Sequence, residues 1–161
     1  MKRTIVLFVS LLVAGTVFAS GSGGGGGAGG GGMGMSKSSG PSSATDWYNA
    51  GYSASDAGRY QEAIGDFKTA ISMKSDYAEA YNMLGFCTRK LGNVNEAFVY
   101  YEKALKLKPN FPEAREYYGE AYLQEGNLAK AVQQYIILEK AGNKNARELL
   151  EKIEGFVNQK S

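Results

Sequence analysis

Residues 81–101 read YNMLGFCTRKLGNVNEAFVYY, and the same pattern stands 34 residues to either side. Residues 47–67 read WYNAGYSASDAGRYQEAIGDF and residues 115–135 read REYYGEAYLQEGNLAKAVQQY. Glycine recurs at Gly51, Gly85 and Gly119, and again at Gly58, Gly92 and Gly126. Alanine recurs at Ala63, Ala97 and Ala131, and an aromatic at Phe67, Tyr101 and Tyr135. Tyr60, Val94 and Leu128 form a fifth column, and Ala50, Leu84 and Tyr118 a sixth. Six columns in register mark an internal repeat, one supersecondary unit that stacks on its neighbours to bury a continuous core.

Each column has a physical reason. Glycine inside a helix costs about 1 kcal/mol relative to alanine, so Gly51, Gly85 and Gly119 predict places where two helix backbones approach closely. Ala63, Ala97 and Ala131 suit the same contact from a second helix, with Phe67, Tyr101 and Tyr135 filling the space beside it. Gly58, Gly92 and Gly126 stand where the first helix of each unit stops, since glycine accepts the left-handed conformation there. The spacing predicts antiparallel helix pairs over about 45–57 and 61–74, 78–91 and 95–108, and 112–125 and 129–141. Asp76 with Glu79, and Asn110 with Glu113, read as N-caps with an acid three residues on. Pro112 falls in a first turn, where its missing N–H is harmless.

The unit resembles the tetratricopeptide repeat. The residues that carry the resemblance are Trp47, Ala50, Gly51, Ala54, Ala63, Phe67 and Ala70 in the first copy. The second copy has Tyr81, Leu84, Gly85, Thr88, Ala97, Tyr101, Ala104 and Pro109, and the third Tyr118, Gly119, Tyr122, Ala131 and Tyr135. Arg115, Leu138 and Asn143 depart from the pattern in that third copy. The resemblance implies an all-α fold, a right-handed α-solenoid of three helix pairs over 44–77, 78–111 and 112–145. Residues 146–161 are then a C-terminal capping helix, with Leu149, Leu150, Ile153, Phe156 and Val157 on one face and Arg147, Glu148, Glu151 and Lys152 on the other. Terminal repeats of solenoids commonly end in such a solvating element.

The resemblance also implies a binding groove lined by the first helix of each pair. Its facing positions are Thr45, Tyr48, Asn49, Tyr52, Ser55 and Asp56 in the first copy. The second contributes Glu79, Asn82, Met83, Phe86, Arg89 and Lys90, and the third Glu113, Glu116, Tyr117, Glu120, Leu123 and Gln124. Tyr48, Tyr52, Phe86 and Tyr117 offer the rigid aromatic area enriched at interface hot spots. Asn49 and Asn82 offer a donor and an acceptor to a peptide backbone. Some members of the family clamp a partner's terminal carboxylate with cations; here Tyr48, Tyr52, Met83, Glu113 and Tyr117 stand at those places, so that clamp is not expected. The ten residues expected to carry binding are Tyr48, Asn49, Tyr52, Asn82, Met83, Phe86, Arg89, Glu113, Tyr117 and Glu120, with Glu113, Glu116 and Glu120 as an acidic corner.

Outside the repeats the sequence changes character. Met1-Lys2-Arg3, the apolar run from Ile5 and the small residues at Val17-Phe18-Ala19 match a signal peptide cleaved after Ala19, residues 1–19. Residues 20–43 hold 12 of the chain's 22 glycines, all between Gly21 and Gly40, and a stretch with so little apolar surface is expected to be a disordered linker. Its G-x-G-x-x-G match at Gly21, Gly23 and Gly26 lacks the strand and helix that a dinucleotide site needs.

Composition removes several function classes. The 161 residues carry a formal charge of +2, contain no histidine and have one cysteine, Cys87. No intrachain disulfide, Cys/His zinc site or histidine-based triad is available. A near-neutral repeat region is a poor partner for nucleic acid. Cys87 reads as a buried free thiol and Tyr60 as a core residue. No catalytic, cofactor or metal residue is assigned. The expectation is an exported, non-enzymatic adaptor, periplasmic or otherwise secreted, that binds a protein or peptide segment in its groove; the alternative is a self-assembling scaffold of the cell envelope.

Overall fold

The computed structural model describes residues 40–160; the expected signal peptide lies outside the described residues, as do all but the last few positions of the expected linker. Among the described residues seven helices follow one another: α1 (Ala44–Asp56), α2 (Tyr60–Met73), α3 (Ala78–Lys90), α4 (Val94–Leu107), α5 (Pro112–Glu125), α6 (Leu128–Lys140) and α7 (Asn145–Lys160). Each begins and ends within a residue or so of the span expected from the repeat. They form an α-solenoid: α1 packs on α2, α3 on α4 and α5 on α6, and each pair packs on the next through α2–α3 and α4–α5. α7 closes the stack against α5 and α6.

The turns inside the pairs follow from backbone sterics. Gly58, Gly92 and Gly126 have φ of 75°, 89° and 87°, the left-handed region that side chains disfavour. The close approach is equally direct in the first two pairs. A Cβ on Gly51 would lie 2.9 Å from Phe67 Cε1, and one on Gly85 would lie 2.8 Å from Tyr101 Cε1.

The third pair departs from the repeat. Gly119 faces Leu149 of α7, whose Cδ2 would sit 2.5 Å from an added Cβ, rather than Tyr135. Tyr135 is half-buried and its hydroxyl donates to Glu139 Oε1 at 2.7 Å. The cause is volume: Leu138 is fully buried where the other pairs carry Ala70 and Ala104, and the apolar edge of α7 fills the slot that a ring fills elsewhere.

Helix starts correct a second expectation. The N-caps of α3 and α5 are Tyr77 and Phe111, without a side-chain capping bond, so neither Asp76 nor Asn110 caps. Phe111 is buried with Ala78, Ala104 and Ala114, and the Tyr77 ring lies 5.0 Å from that of Tyr48. Burying an aromatic contributes about 1.5–3 kcal/mol, more than the roughly 1 kcal/mol of a cap, so the loops turn to seat these rings. A capping box does occur at α1, where Ser43 Oγ accepts from the Asp46 N–H at 3.1 Å and Asp46 accepts from the Ser43 N–H at 3.0 Å. Pro112 occupies the first turn of α5.

Candidate functional site

The first helices of the pairs stand side by side, α1 against α3 and α3 against α5, with α7 continuing the row. Their shared face carries two clefts. The first, about 280 Å3, lies between α1, α3 and α5 and is lined by Tyr52, Ser55, Asp56, Tyr60, Met83, Phe86 and Tyr117. The second, about 470 Å3, lies between α3, α5 and α7 and is lined by Arg89, Glu120, Leu123, Gln124, Glu151, Lys152, Gly155, Phe156 and Gln159.

Aromatic contacts give the first cleft its walls. Phe86 stacks on Tyr117 with ring centroids 5.1 Å apart, and Tyr60 meets Phe86 edge-on at 6.1 Å. Tyr48 lies 6.3 Å from Tyr52 and 5.6 Å from Phe67, so it bridges the groove face to the core. Burial pushes the Tyr48 phenol up to about 12 and raises that of Tyr117, keeping both neutral near pH 7. Tyr52 is 52% exposed. The Cys87 thiol is buried beneath this wall and donates to Ser55 Oγ at 3.4 Å; burial raises its pKa, so the thiol stays protonated. Cys87 is therefore a buried free thiol.

Charge organises the second cleft. Arg89 is buried, its Nη2 donates to Glu120 Oε2 at 2.7 Å, and its Nε donates to the Tyr101 hydroxyl at 3.4 Å. Lys152 Nζ lies 4.0 Å from Glu120 Oε1. Beside them Glu116 is 6% exposed and accepts a short hydrogen bond from Asn145 Nδ2 at the start of α7. Burial pushes the Glu116 carboxyl up to about 7, with Glu148 and Glu120 adding to the shift and the Asn145 bond and Lys152 opposing it. Asn145 Oδ1 is buried without a hydrogen-bond partner.

Of the ten residues expected to bind, Tyr52, Met83, Phe86 and Tyr117 line the first cleft, and Arg89 and Glu120 the second. Asn49 and Glu113 are exposed outside both, and Tyr48 is half-buried behind Tyr52. Three expectations need correction. Asn82 is buried among the packed helices, so it presents no free amide to a peptide, and its Oδ1 has no hydrogen-bond partner. Arg89 is tied to Glu120 and Tyr101 rather than free. The acidic corner dissolves, because Glu116 faces Asn145 and Glu120 faces Arg89 and Lys152, leaving Glu113 alone exposed.

Two contributions escaped sequence reasoning. Tyr60 opens α2 and packs against the core of the first two pairs as expected, and it also forms a wall of the first cleft. α7 is more than a solvating cap, since Glu151, Lys152, Phe156 and Gln159 supply one side of the second cleft. Its sequence held a signal: Leu149 and Ile153 are buried while Phe156 and Val157 remain partly or largely exposed, so the apolar face is wider than a simple cap needs. Among the described residues no cluster of His, Cys, Asp and Glu could hold a metal ion, and no helix is long and apolar enough to cross a membrane.

Two family models described as tetratricopeptide repeat match the chain, over residues 48–110 and 88–153. Among solved structures, MamA is 32% identical, with a TM-score of 0.55 over 68% of this chain; the chain spans 60% of the MamA chain. The chaperone SycD of Yersinia enterocolitica, in complex with a peptide of the translocator YopD, is 19% identical, with a TM-score of 0.62 over 71% of this chain and 89% of that one. The first such domain of Spaghetti (RPAP3), bound to the HSP90 peptide SRMEEVD, is 20% identical, with a TM-score of 0.63 over 71% and 93%. Among curated proteins none matches this sequence.

Proposed function

We propose that this chain, which belongs to the tetratricopeptide-repeat family, is a non-catalytic adaptor that holds an extended protein segment along the face formed by α1, α3, α5 and α7. The observation that carries the reading is the pair of adjoining clefts, one walled by Tyr52, Tyr60, Phe86 and Tyr117 and the next by charged and apolar side chains. Concave, largely aromatic surfaces with a few placed polar groups are where proteins bind ligands. SycD and the RPAP3 domain, which share the fold, each hold a peptide, and this supports a role in protein interaction. The family's carboxylate clamp has no counterpart here, because aromatic, Met and Glu residues occupy its places.

Affinity capture from a cell-envelope extract tests the reading. Tyr52→Ala and Tyr48→Ala/Phe86→Ala, each checked for helicity by circular dichroism, are expected to lose the partners that the wild-type chain captures. If every captured protein persists, groove recognition is wrong. Export to the periplasm, or secretion, belongs to the same proposal and rests on residues 1–19. N-terminal sequencing of the protein recovered from a cell fraction is expected to begin at Ser20.

A second reading, self-association into a scaffold, is favoured by one observation. Ile136 and Ile137 are 39% and 41% exposed on α6, at positions where α2 carries Lys68 and Thr69 and α4 carries Glu102 and Lys103. Light scattering across concentration separates the two: an adaptor stays monomeric, and a scaffold grows unless Ile136→Glu/Ile137→Lys prevents it.

A further inference from the structure

We infer that the aromatic cleft between α1, α3 and α5 receives a cationic side chain, arginine or lysine, from the segment held in the groove. The inference rests on the groove reading above and supplies the chemistry of one position in the bound segment.

Three features of the cleft converge on a positive charge. Four of its lining residues are Tyr52, Tyr60, Phe86 and Tyr117, and the negative face of an aromatic ring attracts a cation within about 6 Å, more strongly where water is excluded. The one formally charged group in the lining is the Asp56 carboxylate. Asp56 is also the last residue of α1, which has no basic residue in its last turn. The carbonyl end of a helix carries partial negative charge that favours cations, and here nothing in that turn answers it.

The second repeat shows what answers such an end. At the positions 34 residues after Ser55 and Asp56 stand Arg89 and Lys90. Arg89 pairs with Glu120 at 2.7 Å, and Lys90 Nζ lies 5.3 Å from the centre of the Phe86 ring. α3 thus brings its own cations to its helix end and to an aromatic face, while α1 presents Ser55 and Asp56. Arg89 and Lys90 lie over the Phe86 ring, at 5.7 Å and 5.3 Å from its centre, but neither lines the aromatic cleft, whose other rings, Tyr52, Tyr60 and Tyr117, are the ones offered to a partner's cation. Arg59, the basic residue nearest Asp56 along the chain, is exposed, pairs with Glu62 at 2.8 Å and lies outside the lining. The Ser55 hydroxyl accepts from Cys87 beneath the cleft, so Asp56 is the carboxylate left for a partner's cation. An aliphatic side chain would fill the space but leave that carboxylate without a counter-charge.

Random dodecapeptides displayed on phage, selected on the full chain, test this. Enriched peptides are then synthesised with each arginine replaced by citrulline and each lysine by norleucine. The expected result is a shared basic residue whose neutral replacement weakens binding about tenfold, the scale of a hydrogen bond to a charged group. Asp56→Asn is expected to lose the same tenfold, and Asp56→Lys, which gives α1 the charge that α3 has at Lys90, to lose more. Asp56 is exposed, so both variants keep the fold, which circular dichroism checks. Peptides that bind and are lost on Tyr117→Ala, but share no basic residue or ignore Asp56→Asn, overturn the cation assignment and leave the groove reading standing. No enriched peptide, or peptides indifferent to both Phe86→Ala and Tyr117→Ala, overturns the two together.

Discussion

Replacing Glu116 by glutamine makes the docking of α7 independent of pH. Glu116 is buried at the α5–α7 contact, accepts from Asn145 Nδ2, and has its carboxyl pushed from an ordinary 4.5 up to about 7 by burial. Protonated, it can also donate to Asn145 Oδ1, the neighbouring buried acceptor without a partner, which closes a two-bond pair. A carboxyl that holds its proton more tightly when folded stabilises the fold fully below the unfolded value. That contribution is lost as pH rises from about 4.5 through about 7. A shift of this size corresponds to about 3 kcal/mol at most, and to about 1–3 kcal/mol once screening by Lys152 and cleft water is allowed for. Glutamine keeps both hydrogen bonds and never ionises. Glu116→Gln should therefore match wild type below pH 4.5 and exceed it by about 1–3 kcal/mol above pH 7. Urea denaturation at intervals between pH 4.5 and 8, with hydrogen exchange of the α7 amides as the local readout, measures the difference directly. Equal offsets at both ends of that range would refute the buried, proton-holding carboxyl. Taking the difference at each pH removes the background of Asp46 and Glu79, whose carboxyls are held below their ordinary values by Ser43 and by Lys108 respectively.

Other perturbations test the packing. Gly85→Leu drives a side chain into Tyr101, 2.8 Å from where its Cβ would stand, and should cost at least about 1–3 kcal/mol, read as a lower Tm; a midpoint at or above wild type would show the approach misplaced. Gly65→Ala, on α2 with nothing within 4 Å of the added methyl, should instead gain up to about 1 kcal/mol through helix propensity. Arg89→Met leaves Glu120 with only Lys152 at 4.0 Å and should destabilise by about 3 kcal/mol, the low end for breaking a buried pair; denaturant midpoints with an unchanged m-value would record it. Cys87, buried with its thiol held protonated, should react with a thiol reagent only as fast as the chain unfolds, and rapid labelling of the folded protein would contradict its burial.

The parts of the fold legible in the sequence were those fixed by local constraints repeated at one spacing. A left-handed residue needs glycine whatever surrounds it, so Gly58, Gly92 and Gly126 gave the turns. A close backbone approach needs a missing Cβ, so Gly51 and Gly85 gave the pairing of α1 with α2 and of α3 with α4. The aromatic wall was legible in part, since Tyr52, Phe86 and Tyr117 recur on one helix face. Tyr60 was hidden because its column, with Val94 and Leu128, reads as apolar filling. The place of a column in a repeat does not say whether a neighbouring helix covers it.

By itself, then, the sequence determined the number of helix pairs, their turns and the face each first helix presents, because those follow from backbone sterics and side-chain size within one unit. Only the tertiary structure decided that Leu149 rather than Tyr135 meets Gly119, that Arg89 and Glu120 join across 31 residues, that Glu116 finds Asn145, and that α7 walls the second cleft. Each of those contacts depends on volumes and charges brought together from elements far apart in the chain, and a repeat of 34 residues carries no record of which side chains of the closing helix its last copy meets.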